Sequence, residues 1–270
     1  MIICLTSKNN IIFGTAGNIE KDILSSIRRL RSLGIGAQEV EFVRGVTMSN
    51  ETAKKAGYLA KELGIRLSIH APYYINLASD EKLKVEASKK RILDSCERGF
   101  YLGVKNVVFH AAFYGKRNKE EVYEIVKRSI LEMQDYLDKK GFGSVKLSPE
   151  TTGKKTQFGS LDELLKLRKD TKCSICVDFA HLLARDGHVS YPEIFKKIDE
   201  NEIKELHCHF SGIEYGEKGE RKHLITTEEE ISKLLDEARK HAVDLIIINE
   251  SPDPLGDTQK SVKIWEKMRI

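Results

Sequence analysis

Short apolar runs rich in Val and Ile recur eight times along the 270-residue chain, at 11–15, 39–43, 67–71, 106–111, 145–151, 173–179, 203–210 and 245–251. Continuous rather than alternating hydrophobicity is the pattern of parallel strands covered on both faces. Between the runs lie longer stretches with helical periodicity, at 19–33, 50–63, 80–102, 119–139, 161–168, 191–198, 227–242 and 258–267. In the first of these, Ile23, Leu24, Ile27 and Leu30 fall on one helix face. Gly34, Gly64, Gly103 and Gly141 stand at expected helix C-termini, and Ser79-Asp80, Ser160 and Thr226-Thr227 are candidate N-caps. A βα unit repeated eight times closes into a barrel more naturally than it spreads into an open sheet. No G-x-G-x-x-G follows the first run, which argues against a doubly wound dinucleotide fold. We therefore expect an α/β chain forming a single (β/α)8 barrel of the TIM type over residues 1–270.

Hydrophobic residues at 40% and charged residues at 32% allow a large core under a solvated surface. No apolar run approaches the roughly 20 residues that span a bilayer, and Met1-Ile2-Ile3-Cys4-Leu5 is too short for a signal peptide. The expectation is a soluble cytoplasmic protein, monomeric, with no membrane partner and no organic cofactor. The net charge of +4 permits a polyanionic partner without demanding one. Five cysteines (Cys4, Cys96, Cys173, Cys176 and Cys208) are odd in number and scattered, which argues against a disulfide framework. Cys173 and Cys176 form a CxxC, but in a strand their side chains point to opposite faces, so they read as small buried apolar residues.

Where the His and carboxylate residues fall is more telling. His70 ends the third run, His110 the fourth, Glu150 the fifth, Asp178 the sixth and Glu250 the eighth, while His207 and His209 close the seventh. Six consecutive expected strands thus finish in a side chain able to ligate a metal, and in this fold the strand C-termini converge on the active-site mouth. Three carboxylates beside an apolar barrel are costly unless paired or bound to cations. Mixed nitrogen and oxygen donors favour Zn2+, with Mn2+ or Fe2+ as further candidates. His181 follows Asp178 by three residues, and His223 lies in the long loop after the seventh strand. A lone histidine is usually an ordinary surface or core residue, and His188 and His241 are read that way. The joint placement of the others carries the argument.

Basic residues gather in the loops expected on the same face: Arg44, Lys116, Arg117, Lys154, Lys155, Lys218, Arg221 and Lys222. They suit a phosphate backbone, although Glu214, Glu217 and Glu220 weaken the field. Tyr73, Tyr74, Phe113 and Tyr114 follow two candidate ligands and are placed either to stack on bases or to pack under loops.

With these residues in view, the sequence resembles the endonuclease IV family of apurinic/apyrimidinic endonucleases. The likeness runs over most of the chain and is weakest before Gln38. Its most specific piece is Ile69-His70-Ala71-Pro72-Tyr73-Tyr74-Ile75-Asn76-Leu77-Ala78-Ser79, followed by His110, Pro149-Glu150-Thr151-Thr152-Gly153, Val177-Asp178-Phe179-Ala180-His181 and Glu250-Ser251-Pro252. The resemblance implies a barrel with three zinc ions that cuts double-stranded DNA 5′ to an abasic site, leaving a 3′-hydroxyl and a 5′-deoxyribose phosphate. It implies that His70, His110 and Glu150 hold one ion. Glu150, Asp178, His207 and Glu250 would hold a second, and His181 and His223 part of the third. It makes Glu150 catalytic, as the residue that orients the nucleophile, and assigns Arg44 and Tyr73 to the gap left in the base stack.

Two departures stand out. The family carries Asp two residues before the His223 position, where this chain has Arg221, which cannot ligate; Glu220 or Glu217 are the nearby carboxylates. Strand seven reads His207-Cys208-His209-Phe210, and both histidines point to the same side, so the residues leave open which one binds. Sugar isomerases and epimerases on the related barrel resemble the chain at Glu150, Asp178, His207 and Glu250, a one-metal set. His70, His110, His181 and His223 favour the nuclease reading over that alternative. A non-catalytic metal-stabilised module that binds damaged DNA is the third.

Overall fold

The computed structural model describes residues 9–269, so Cys4 and the first five residues read above lie outside the described residues. The barrel strands are β1 (Ile11–Ala16), β2 (Ala37–Glu41), β3 (Arg66–His70), β4 (Asn106–Phe109), β5 (Lys146–Pro149), β6 (Cys176–Asp178) and β7 (Glu205–Phe210). After an antiparallel hairpin of β8 (Gly212–Gly216) and β9 (Gly219–Leu224), β10 (Asp244–Asn249) completes the set. The sheet runs β5-β4-β3-β2-β1-β10-β7-β6, with every pairing parallel. A parallel bridge between Glu150 and Cys176 closes the ring, reinforced by Thr151 N to Cys176 O at 3.0 Å and Ser174 N to Leu147 O at 2.9 Å. The expected (β/α)8 barrel is the fold.

Nine helices are found among the described residues: α1 (Ile23–Ser32), α2 (Asn50–Leu63), α3 (Lys82–Leu102), α4 (Lys119–Lys139), α5 (Leu161–Thr171), α6 (Phe179–Asp186), α7 (Tyr191–Glu200), α8 (Glu228–Ala238) and α9 (Pro254–Met268). Their apolar faces meet the outer face of the sheet in one continuous core that includes Ile27, Leu30, Phe109, Phe179 and Phe195. A small separate cluster, Ala37, Ile246 and Ile248 with Ile12 and Ala16, fills one side of the barrel interior. Ser160 and Thr227 cap α5 and α8 with reciprocal capping boxes, each satisfying two otherwise unpaired backbone donors. Ser79 and Asp80 do not cap α3; its N-cap is Glu81, with no side-chain cap bond.

Two elements were not legible as runs. The segment after β7, a loop by its sequence, is the β8–β9 hairpin. Its strands are largely solvent-facing and charged, so they lack the apolar signature of the barrel strands. Helix α6 starts directly at the end of β6, where Asp178 Oδ1 accepts from His181 N at 2.7 Å. Its apolar residues run on from the strand without a break in pattern, which hides the boundary.

Candidate metal centre

Side chains alternate along a strand, and parallel register therefore builds the barrel interior in layers. Glu41 pairs with His70 and Asp178 with His209 in the upper layer; Glu39 pairs with Ser68 and Cys176 with His207 in the layer below. The upper layer opens into a cleft at the strand C-termini, lined by Glu41, His70, Tyr73, His110, Phe113, Glu150, Lys154, Gln157, His181, Glu220, His223 and Glu250 among others.

Glu150 sits at the centre, 1% exposed. Its Oε2 lies 3.0 Å from His110 Nε2 and 3.3 Å from His70 Nε2; its Oε1 lies 3.1 Å from His181 Nδ1 and 3.2 Å from His209 Nδ1. His209 Nδ1 is also 3.2 Å from Glu250 Oε1, and His223 Nδ1 is 3.9 Å from Glu250 Oε2. Five sets of donors come close enough to share a cation, and three of them overlap around Glu150 and Asp178: His70 with His110 and Glu150; Glu150 with Asp178, His209 and Glu250; and Asp178 with His181 and His223; the other two are Glu39 with Glu41 and Glu250, and Cys176 with His207 and His209. His70 Nδ1 faces the carbonyl of Ala71 at 2.8 Å, and His181 Nδ1 that of Thr151 at 3.0 Å. Such partners fix an imidazole's tautomer and ring orientation.

The seventh strand holds its two histidines at different depths. His209, not His207, comes together with Glu150, Asp178 and Glu250, whereas the resemblance gives that position to His207, which instead meets Cys176 and His209. His207 lies one layer deeper, 2.8 Å from Glu39 Oε2. The physical reason is height: two residues along a strand is roughly 6–7 Å, enough to put His207 below the level of the carboxylates. Near His181, the carboxylate is Glu220, whose Oε2 is 3.4 Å from His181 Nε2; the hairpin that carries it docks through Glu220 N to Gly153 O at 3.1 Å. A Cβ at Gly153 would stand 2.6 Å from Glu220 Cβ, so only glycine admits the hairpin this closely. Arg221 pairs with Glu214 at 3.4 Å, as does Lys222 at 3.2 Å, and both line the cleft.

Glu39 and Glu41 were missed. They stand two apart on β2, with Glu39 fully buried and Glu41 in the mouth. The available signal was the pair of acidic residues at strand spacing in Gln38-Glu39-Val40-Glu41-Phe42. Placing the strand at 39–43 put them at its beginning, whereas β2 ends at Glu41.

Of the aromatic and basic residues, Tyr73, Tyr74 and Phe113 are exposed. Tyr114 is buried and donates its hydroxyl to Glu163. Arg44 is exposed, and its loop meets the Tyr73 loop through Tyr73 N to Val43 O at 3.3 Å. Arg117 is tied to Asp80 at 2.7 Å and to the Ala78 carbonyl at 2.5 Å. Cys173 and Cys176 are both buried and free. His241 pairs with Asp199 and Glu237 away from the mouth, and His188 contacts the Asp186 carbonyl.

Electrostatics argue that these donors suit cations. Burial pushes the Glu150 carboxyl up, but the His110 and His209 imidazoles outweigh it and hold the group well below the usual range. Burial pushes His70 down, and Glu150, Glu41 and Glu39 reverse this to about 10. Without cations, protonated imidazoles must neutralise the carboxylates. Asp178 Oδ2, completely buried, accepts no hydrogen bond among the described residues, a gap that a cation would fill. Burial, with the charges of Glu39 and Glu250, raises Glu41 to about 8.

The sign of these shifts gives a testable pH dependence. Folded Glu41 retains a proton that the unfolded chain releases near 4.5, so its contribution to stability falls as pH rises from about 4.5 to 8. The His70 contribution, present below 6.5, is lost as pH rises through about 10. Under chelator, Glu41→Gln should be more stable than wild type at pH 9 by about 1–3 kcal/mol, with little difference at pH 4. Urea unfolding at the two pH values measures it; identical pH slopes would refute the assignment.

The fold and site together define a (β/α)8-barrel enzyme with several clustered candidate metal sites. The chain belongs to the xylose isomerase-like TIM barrel family, whose model matches residues 27–268. An uncharacterized protein of Methanocaldococcus jannaschii is 43% identical over 231 residues, covering 81% of this chain and 82% of that one. A protein of Aquifex aeolicus named probable endonuclease 4 is 25% identical over 232 residues, covering 78% and 80%. Among solved structures, endonuclease IV from Thermus thermophilus superposes with a TM-score of 0.69 at 20% identity, covering 95% of this chain and 98% of that one. D-psicose 3-epimerase from Clostridium cellulolyticum gives 0.67 at 13% identity, covering 96% and 99%, so both reflect the shared fold. Among the described residues no helix is long and apolar enough to cross a membrane.

Proposed function

We propose that this chain is a zinc-dependent apurinic/apyrimidinic endonuclease, hydrolysing the DNA phosphodiester 5′ to an abasic site. The observation that carries the reading is the set of three overlapping donor groups joined by Glu150 and Asp178, more than a one-metal enzyme needs. Nitrogen and oxygen donors suit Zn2+, with Mn2+ or Fe2+ as alternatives. Bound cations supply Lewis acidity and lower the pKa of water toward neutrality. Glu150, with each oxygen facing two imidazoles, orients the attacking water. Asp178, His209 and Glu250 hold one side of the centre, and His181, His223 and Glu220 the other. Lys154 in the cleft, with Lys155 and Lys218 beside it, draws the phosphate backbone toward the mouth. Arg44 and Tyr73, on adjoining loops, fill the space left by the missing base. Extruding an abasic sugar is cheap because it has no base to unstack, and this favours damaged sites.

The named endonuclease relative supports this reading. The group Glu150, Asp178, His209 and Glu250 would by itself serve a one-metal sugar isomerase or epimerase, the second reading. Two measurements separate them. A duplex oligonucleotide with one abasic site should be nicked, and chelator should abolish the nicking. Metal analysis should give two or three ions per chain. One ion per chain, no nicking and epimerisation of a ketose would replace the nuclease by the sugar enzyme.

A further inference from the structure

On α6, His181 and Arg185 stand four residues apart and so share one face of the helix. That face meets the β5–α5 loop residue by residue. His181 Nδ1 faces the carbonyl of Thr151 at 3.0 Å. One turn on, Arg185 Nη1 donates to the carbonyls of Lys154 at 2.6 Å and Gln157 at 3.0 Å, and lies 3.1 Å from Thr152 Oγ1. Arg185 Nη2 reaches the Tyr114 hydroxyl at 3.5 Å, and that hydroxyl donates to Glu163 Oε1 at 2.6 Å. Arg185 is 4% exposed and pairs directly with no carboxylate among the described residues. A guanidinium taken out of water is costly unless a charge partners it. Phe158, completely buried, already anchors this loop by apolar contact. What the guanidinium adds is direction, because its rigid planar fork fixes the oxygens it serves relative to its own helix.

We infer that Arg185 is a positioning residue that fixes the β5–α5 loop to the helix bearing His181, and so sets Lys154 at a defined place beside the mouth, where it grips a phosphate of the DNA backbone. Lys154 lines the cleft, and its ammonium pairs with no carboxylate among the described residues, which leaves its charge for an anion. The polar contacts of Arg185 include none of the candidate metal donors, so it acts through the loop alone. The inference rests on the proposed nuclease reading of the mouth.

The test uses the full chain with Zn2+ and a labelled duplex carrying one abasic site. Arg185→Met should raise KM about tenfold and leave kcat within about threefold, the signature of lost ground-state binding to a charged group. The slope of log(kcat/KM) against log salt concentration should flatten by about one, the share of a single phosphate contact. Lys154→Met should do the same, and the double substitution should be no worse than either alone, because both remove one contact. Arg185→Lys keeps the charge but loses the fork; it should fall between wild type and Arg185→Met, and it serves if the methionine variant does not fold. Additive losses, an unchanged salt slope, or a fall in kcat together with loss of bound zinc would show that Arg185 supports the barrel generally and overturn the inference. Fluorescence anisotropy of the same duplex under chelator reads the salt slope without catalysis. A wild type that binds the duplex but never nicks it overturns the nuclease reading, and the slope then decides the role of Arg185. A wild type that does neither overturns both.

Discussion

Glu150→Gln should reduce cleavage of an abasic-site duplex by at least about a thousandfold, the upper end for removing one preorganised electrostatic group. The substitution keeps size and shape but removes the charge that four imidazoles converge upon. It also places an amide N–H2 where a lone pair is needed, so two donor sets lose their shared member at once. The measurement is single-turnover nicking of a labelled duplex at saturating protein, with circular dichroism confirming that the variant is folded. Activity within tenfold of wild type would remove Glu150 from the chemistry and with it the proposed mechanism. The same variant assayed for ketose epimerisation addresses the competing reading, because the one-metal set also contains Glu150.

Phe158→Ala should destabilise the chain by about 3–5 kcal/mol, the range for deleting a buried aromatic ring. Phe158 is completely buried in the loop between β5 and α5, its ring 6.4 Å from that of Tyr123. Its backbone is pinned as well: Phe158 N donates to Ala112 O at 3.0 Å, and its carbonyl accepts from Thr152 Oγ1 at 3.2 Å. Arg185, buried nearby, donates to the carbonyls of Lys154 at 2.6 Å and Gln157 at 3.0 Å. The ring is therefore the apolar anchor of a loop that carries Lys154 and Gln157 into the cleft. For a domain of this size the loss lowers the melting temperature by roughly 10 °C. Thermal and urea unfolding with metal saturated measure it, and a change below about 1 kcal/mol would show that the loop collapses around the cavity without penalty.

How legible the site was depended on where each residue sat relative to a strand end. His70, Asp178 and Glu250 stand at or just beyond the last residue of an apolar run, and parallel strands bring such ends together whatever the loops do. Glu39 and Glu41 are hidden in the sequence because the apolar run at 39–43 lies two residues later than β2, Ala37–Glu41. The β8–β9 hairpin was hidden because it is stabilised by docking rather than by burial of an alternating face. Glu220 therefore had no visible address beside His181.

The amino-acid sequence determined that eight βα units would close on themselves and that acidic and imidazole groups would meet at one rim, because both follow from strand periodicity and chain connectivity. The choice of His209 over His207, the descent of Glu39 beneath the rim and the delivery of Glu220 by a hairpin were decided only in three dimensions. Each depends on the relative height of residues on strands far apart in the chain, which the stagger of the closed barrel sets and no local pattern encodes.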